Sequence, residues 1–299
     1  MNKLLVIVGP TASGKTKLAA RLAKKFNGEL VSADSRQVYR GLDIGTGKDR
    51  PKGVKIWGYD LVRPKEEFSV GQYQKIAIKF ISDIQKCGKL PILVGGTGLY
   101  VKSVLEGIPT SNIPKNKRLR EVLDSLSVGD LYEKLSVIDS VKAANMNRSD
   151  KNNPRRLIRA IEVAQYRNEH KQKQIKHKKY DSMIVGLKVN KDKLEERIKA
   201  RVKRRIQKGL QNEIRELLKK GVRWEDQSMS SLGYKEWRGC LEHQEGCSHV
   251  VDIWARNEIS YAKRQMVWFK KQKNIEWFGL NEQKAVEDLV EKWYKKVDV

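Results

Sequence analysis

Lys3-Leu4-Leu5-Val6-Ile7-Val8, followed by Gly9-Pro10-Thr11-Ala12-Ser13-Gly14-Lys15-Thr16, is the stretch that decides the fold. Lys3 to Val8 reads as a buried strand, with an apolar run of strand length from Leu4 to Val8. The next eight fit GxxxxGK[ST], a phosphate-binding loop set between a strand and a helix. Gly9 and Gly14 let the backbone approach oxygen atoms, while successive N–H groups and a helix N-terminus face anionic phosphate and Lys15 adds a mobile cation. The Thr16 hydroxyl is a ligand for Mg²⁺ in such a loop. Whether the phosphate belongs to a nucleoside triphosphate or to another diphosphate stays open at this point.

Outward from this loop, Lys15 to Phe26 reads as a helix and Glu29 to Ala33 as a second strand, with Asp34 at its end. Ile76 to Lys86 reads as a further helix, and Pro91 to Val94 as a strand ending in Gly95-Gly96-Thr97-Gly98. Strands alternating with helices imply a mostly parallel sheet, whose ligands gather at the carboxyl ends of the strands, where Asp34 and Thr97 both fall. From Pro114 to Tyr180 the chain turns polar and helical, with Leu119, Val122, Leu123 and Leu126 forming an apolar stripe at spacings of three and four. The nearly all-polar tract Glu169 to Tyr180 reads as a mobile connection. Met183 to Val189 reads as a strand returning to the sheet, followed by a long helix from about Asp192 and a mainly helical remainder. The expected fold is α/β: a P-loop NTPase-like parallel sheet flanked by helices. It has a core over 1–113, a small helical insertion over 114–180, and a return to the core with a helical C-terminal portion over 181–299.

The net charge of +26 over 299 residues suits a polyanionic partner, and a solvated basic surface would give the same total, so the distribution must decide. It is uneven. In the helix after Asp192, Arg197, Arg201, Arg204 and Lys208 share one face, while Ile198, Val202, Ile206 and Leu210 share another. Cys87, Cys240 and Cys247 form no CxxC pair and read as reduced thiols, and the four histidines form no zinc-ligand set. The apolar N-terminal run reads as a strand rather than a secretion signal, and no stretch approaches the length of a membrane span. A cytoplasmic monomer is expected.

Each candidate has a structural reading beside the functional one. Asp34, in Ala33-Asp34-Ser35-Arg36-Gln37-Val38-Tyr39, either accepts a proton and orients an amino group or merely caps the next segment. Gln37 is either an adenine-edge reader or an ordinary turn residue. Lys48 is a further candidate phosphate contact, and Thr97 either serves a tight turn or touches ligand. Trp254, Trp268 and Trp277 read as core residues.

An ordered series of motifs resembles the tRNA dimethylallyltransferases, also called isopentenyl-diphosphate:tRNA transferases. It comprises GPTASGKT (Gly9 to Thr16), ADSRQVY (Ala33 to Tyr39), LDIGTGK (Leu42 to Lys48), VGGTGLY (Val94 to Tyr100), NPRRLIRAIEV (Asn153 to Val163), LGYKEW (Leu232 to Trp237) and YAKRQMVWF (Tyr261 to Phe269). The resemblance implies transfer of dimethylallyl from dimethylallyl diphosphate to the exocyclic N6 of the adenine immediately 3′ of the tRNA anticodon, with pyrophosphate released. Carried over by motif, Asp34 is the base or orienting group for N6, Thr97 contacts substrate near the reacting centre, and Arg201, or Arg197 beside it, assists the leaving group. Lys15 and Thr16 serve the diphosphate and Mg²⁺. Ser35, Arg36, Gln37, Arg120, Arg156, Arg159, Arg204 and Lys208 then fall to the tRNA anticodon stem-loop. The chain departs from the family pattern in three places. Val54 to Asp60 lacks its histidine, Asn153 replaces an aspartate, and Glu258-Ile259 replaces a Thr-Arg pair. Two competing readings are a P-loop small-molecule or nucleotide kinase, and a noncatalytic RNA-binding protein with a relic P-loop.

Overall fold

The computed structural model describes residues 2–170, 179–243 and 247–296, so most of the connection expected over Glu169 to Tyr180, with His177, lies outside the described residues. In chain order the elements begin β1 (Lys3–Val8), α1 (Lys15–Lys25), β2 (Gly28–Ser32), β3 (Ile56–Trp57), α2 (Val70–Lys86), β4 (Leu90–Gly95) and α3 (Gly98–Leu105). Next come α4 (Lys117–Leu123), α5 (Val128–Ile138), α6 (Ser140–Ala144), α7 (Arg148–Lys151) and α8 (Pro154–Glu169). The chain ends with β5 (Asp181–Leu187), α9 (Lys191–Gln207), α10 (Leu210–Lys219), α11 (Arg238–His243), α12 (Val250–Lys270), β6 (Ile275–Phe278) and α13 (Gln283–Lys295).

The six strands form one sheet, ordered β3-β2-β4-β1-β5-β6 and parallel throughout. The apolar run Leu4 to Val8 of β1 is explained by burial on both faces: Leu4, Val6 and Val8 join one core, and Leu5 and Ile7 join the other. Val8 is in register with Gly95 on one side and Gly186 on the other, so the loops leaving β1, β4 and β5 start at one level. That level is the carboxyl edge of the sheet, where the order of the strands reverses about β1. α2 begins at Val70, ahead of the expected Ile76, because Ser69 and Gln72 form a capping box at its start.

The chain divides into two compact units, 1–106 with 179–299, and 107–178. The second therefore starts at Gly107 rather than Pro114. Its own core contains Leu123, Leu131, Leu135, Leu157 and Ile161. The expected stripe is only partly internal, since α4 ends at Leu123 and Val122 is 62% exposed. Asn153 caps α8 by accepting from Arg156 N, and asparagine does this as well as aspartate, which accounts physically for that departure from the family pattern.

The cysteine expectation is corrected. Cys240 and Cys247 form a disulfide, with Cα atoms 4.8 Å apart; Cys87 is free and exposed. No helix among the described residues is long and apolar enough to cross a membrane.

A buried carboxylate organises the second unit. Glu162, whose side chain is 1% exposed, accepts two 2.7 Å bonds from Arg120 and one of 3.1 Å from Arg159 Nη1, while Arg159 Nη2 donates to the carbonyls of Thr110 and Ile113. Burial alone would raise the Glu162 pKa, but the bonds from Arg120, Asn116 N and Arg159 outweigh it and hold the pKa below the ordinary 4.5. Glu162→Ala should destabilise this unit by about 2 kcal/mol, less than for a fully buried pair because both arginines can turn to water. A depressed folded-state pKa means that the contribution is full above about pH 4.5 and fades as pH falls below it. Chemical denaturation of parent and variant at neutral and acid pH should therefore show a stability gap that narrows in acid; a constant gap would exclude an ionic origin.

Candidate active site

The loop after β1 opens at Gly9 and closes at Gly14, whose φ of +85° is the left-handed conformation that starts α1 with its N–H groups turned into the loop. Ser13 N donates to Pro10 O at 3.3 Å, and Lys15 Nζ folds back to the same carbonyl at 3.0 Å. Thr11, Ala12, Gly14, Lys15 and Thr16 line a cavity of about 910 Å³; Gly9, Pro10 and Ser13 form the underside of the loop and do not line it. The Ser13 hydroxyl is buried with no hydrogen-bond partner among the described residues.

From the ends of the neighbouring strands come Asp34 and Thr97. Asp34 lines the cavity, and its charge acts on Lys15, Tyr59 and Tyr261. One of its oxygens accepts from Arg36 N at 2.9 Å, so the carboxylate also performs the local capping anticipated as its structural reading. Thr97 stands just behind the wall: Ser35 N donates to its hydroxyl at 3.1 Å, Tyr261 bonds it as well, and Ser35 and Tyr261 themselves face the cavity. Burial, with the nearby Asp34 charge, pushes the Tyr261 phenol up to about 12.

The opposite wall is α9. Its stripe divides in two. Arg197 and Arg201 are half-buried, with Arg197 beside Gly14 and Arg201 Nη1 donating to Thr11 Oγ1 at 2.8 Å, whereas Arg204 and Lys208 are exposed where the cavity meets solvent. Ile198, Val202 and Leu210 on the other face are buried in the core. Burial, reinforced by repulsion from Arg201, lowers the Lys15 pKa to about 8 despite the opposing charges of Asp34, Glu258 and Asp49.

Two candidates have other employment. Lys48, its side chain fully buried, donates to Tyr39 O, Asp43 and Asp60 at 2.6 to 2.7 Å; it secures the 42–48 loop instead of offering a cation to phosphate. The same loop has its N–H groups at Asp43, Ile44 and Gly45 gathered by the Glu213 carboxylate. Gln37 faces the cavity, but its amide accepts from Ser32 and donates to the carbonyls of Thr46 and Gly47, so base reading would require exchange of these bonds. In the other unit, Arg120 and Arg159 are engaged by Glu162, a structural use that the sequence expectation of RNA contact did not include, and Arg156 pairs with Asp150 at the surface.

Four cavity-lining positions went unassigned from sequence: Arg205, Glu258, Tyr261 and Gln265. Gln265 is central. Its Oε1 accepts from Thr11 N at 2.8 Å and its Nε2 donates to Gly96 O at 2.9 Å, joining the phosphate loop to the turn that carries Thr97. The spacing of 258, 261 and 265 along α12 puts these side chains on one helical face, a periodicity that was available in the sequence. For donor chemistry, the oxygen ligands beside the loop, the Thr16 hydroxyl and the Asp34 and Asp49 carboxylates of the cavity wall, suit a hard cation shared with phosphate. No cluster of three or more metal-binding side chains occurs among the described residues, so substrate oxygens would have to complete such a site.

Comparison with known proteins agrees with this architecture. The family model for IPP transferase matches residues 37–272, and that for isopentenyl transferase matches residues 2–58. A tRNA dimethylallyltransferase of Anoxybacillus flavithermus is 38% identical over 296 residues, covering 97% of this chain and 94% of the relative. The crystal structure of a tRNA isopentenylpyrophosphate transferase from Bacillus halodurans superposes with a TM-score of 0.74 at 36% identity, covering 98% and 97% of the two chains. A eukaryotic dimethylallyltransferase acting on tRNA shares the fold at a TM-score of 0.81 and 24% identity, covering 98% of this chain and 80% of the other. With motif order, fold and near full-length identity in agreement, the chain belongs to the tRNA dimethylallyltransferase family of IPP transferases.

Proposed function

We propose that this chain transfers a dimethylallyl group from dimethylallyl diphosphate to the exocyclic N6 of the adenine immediately 3′ of the anticodon in tRNA. The observation that carries the reading is one cavity lined together by Asp34, Lys15 and Arg201, with the Asp34 and Arg201 charges both felt at Lys15. N6 attacks the first carbon of the donor; the N–C bond forms as the C–O bond to diphosphate breaks, and N6 loses a proton. Asp34 orients the amine and takes that proton, and Thr97, through Ser35 and Tyr261, fixes the wall against which the acceptor lies. Pyrophosphate departs with the electron pair, its charge met by the loop N–H groups, Lys15 and Arg201. Mg²⁺, held by Thr16 and diphosphate oxygens, would supply further charge neutralisation.

The outer half of the α9 stripe, Arg204 and Lys208, with Ser35 and Arg36 at the wall, meets the anticodon loop. The protein acts as a cytoplasmic monomer. A kinase would share the phosphate loop and Asp34, but it leaves the exposed arginine and lysine pair without a partner.

The direct test is transfer of label from radiolabelled dimethylallyl diphosphate into tRNA. Asp34→Asn should keep the Arg36 N contact and therefore the fold, while slowing single-turnover transfer by about 10² to 10⁴-fold, the range for a positioned general base. A rate within about threefold of the parent would reduce Asp34 to its capping role.

Lys15 gives a pH signature. With a pKa near 8 in the free site, it is increasingly neutral above that pH, and an arriving anion draws a proton onto it. Pyrophosphate affinity should fall as pH rises past about 8, and calorimetry in buffers of different ionisation heat should detect proton uptake there. Lys15→Ala should bind more weakly and abolish the uptake; uptake that persists in the variant would assign it elsewhere.

Charge reversal at Arg204 and Lys208 together should weaken tRNA binding and flatten its salt dependence by about two units of slope, with donor affinity unchanged. An unaltered salt slope in filter-binding titrations would remove the pair from the RNA path.

A further inference from the structure

Arg205 lies one turn beyond Arg201 on α9 and points into the same cavity, although only 6% of it is exposed. Its Nη1 pairs at 3.0 Å with Glu258 of α12, which is equally buried. Trp254 backs the pair: its ring lies beneath the guanidinium and its Nε1 donates to the same Glu258 oxygen at 3.4 Å. The other end of Arg205 faces the opposite way. A Cβ on Gly47 would collide with both Arg205 Nη2 and Arg201 Nη2, so the two guanidinium ends lie side by side over this glycine. Glu258 thus grips one end of the fork and leaves the second beside a like charge.

Two adjacent guanidiniums in a desolvated wall repel, and the single carboxylate sits behind one of them. A pair serving only the core would gain nothing from a second guanidinium held against it. An anion lying over Gly47 would reverse the sign of that interaction for both arginines, and the planar fork of arginine suits two oxygens of a phosphate.

We propose that Arg205 is a second diphosphate-contacting guanidinium beside Arg201, and that Glu258 is its positioning residue, aiming the free end of the fork at the leaving group. The proposal rests on the reading of this cavity as the diphosphate site.

The test is calorimetric titration of inorganic pyrophosphate into the full chain carrying Arg205→Met together with Glu258→Gln, which removes both charges so that neither is left buried alone. A loss of about tenfold or more in pyrophosphate affinity, with tRNA affinity and thermal midpoint retained, is the expected result for removing a charged hydrogen-bonding group. Parental affinity in the folded double variant overturns the proposal and makes the pair a packing feature. Arg205→Lys, which keeps a cation opposite Glu258 but lacks the fork, should also bind pyrophosphate more weakly, and parental affinity there overturns it independently. Glu258→Gln separates positioning from packing. It adds one net positive charge to the wall, so pyrophosphate should bind as tightly or more tightly while single-turnover transfer slows several-fold; a parental rate overturns the positioning role. Lys15→Ala in the same titration isolates the underlying reading. If Lys15→Ala binds pyrophosphate as the parent does, the diphosphate site itself is misassigned; if it weakens binding and the double variant does not, only Arg205 is.

Discussion

The side-chain amide of Gln265 holds together two loops that the sheet alone would only place side by side. Level strand ends bring the turn after β4 to the height of the phosphate loop, but strand register fixes backbone and leaves the loops their own freedom. By accepting from Thr11 N and donating to Gly96 O, one amide uses both its acceptor and its donor to set that spacing. Each subsequent feature refers to this frame. Arg201 reaches the loop at Thr11, the residue so fixed, and Thr97 follows Gly96 directly, so the positions of Arg201 and Thr97 are both referred to the one Gln265 amide.

Charge in the cavity is arranged in depth. The desolvated part, with Lys15, Arg201 and Arg205 set against Asp34 and Glu258, acts at short range and is weakly screened. Arg204 and Lys208 stand in solvent, where their influence is long-ranged and salt-sensitive. Burial and the neighbouring Arg201 lower the pKa of Arg205 to about 10, and burial and Arg201 act on Lys15 in the same sense.

What the sequence made legible was mainly local. The β1 run, the phosphate loop and α1 are contiguous, and the apolar period and glycine spacing that define them need no distant partner. The α9 stripe was equally readable, because i, i+3 and i+4 spacing specifies a face whatever that face meets. Partner identity was harder. Lys48, Arg120 and Arg159 look like available cations in a chain of this charge, and only the folded structure reveals Asp60 and Glu162 as their acceptors. Arg205 passed as one more basic residue because its carboxylate lies 53 positions away. The Cys240–Cys247 bond was missed for the converse reason, since a short separation without a CxxC pattern carries no signal until the two Cα atoms are seen 4.8 Å apart.

The second unit has a hydrophobic centre of its own, and the sheet is complete without it, with β5 passing directly against β1 along the full strand. A substitution that opens a void at Leu135 or Leu157 therefore loosens the second unit's own core and removes no residue from the two cores of the sheet.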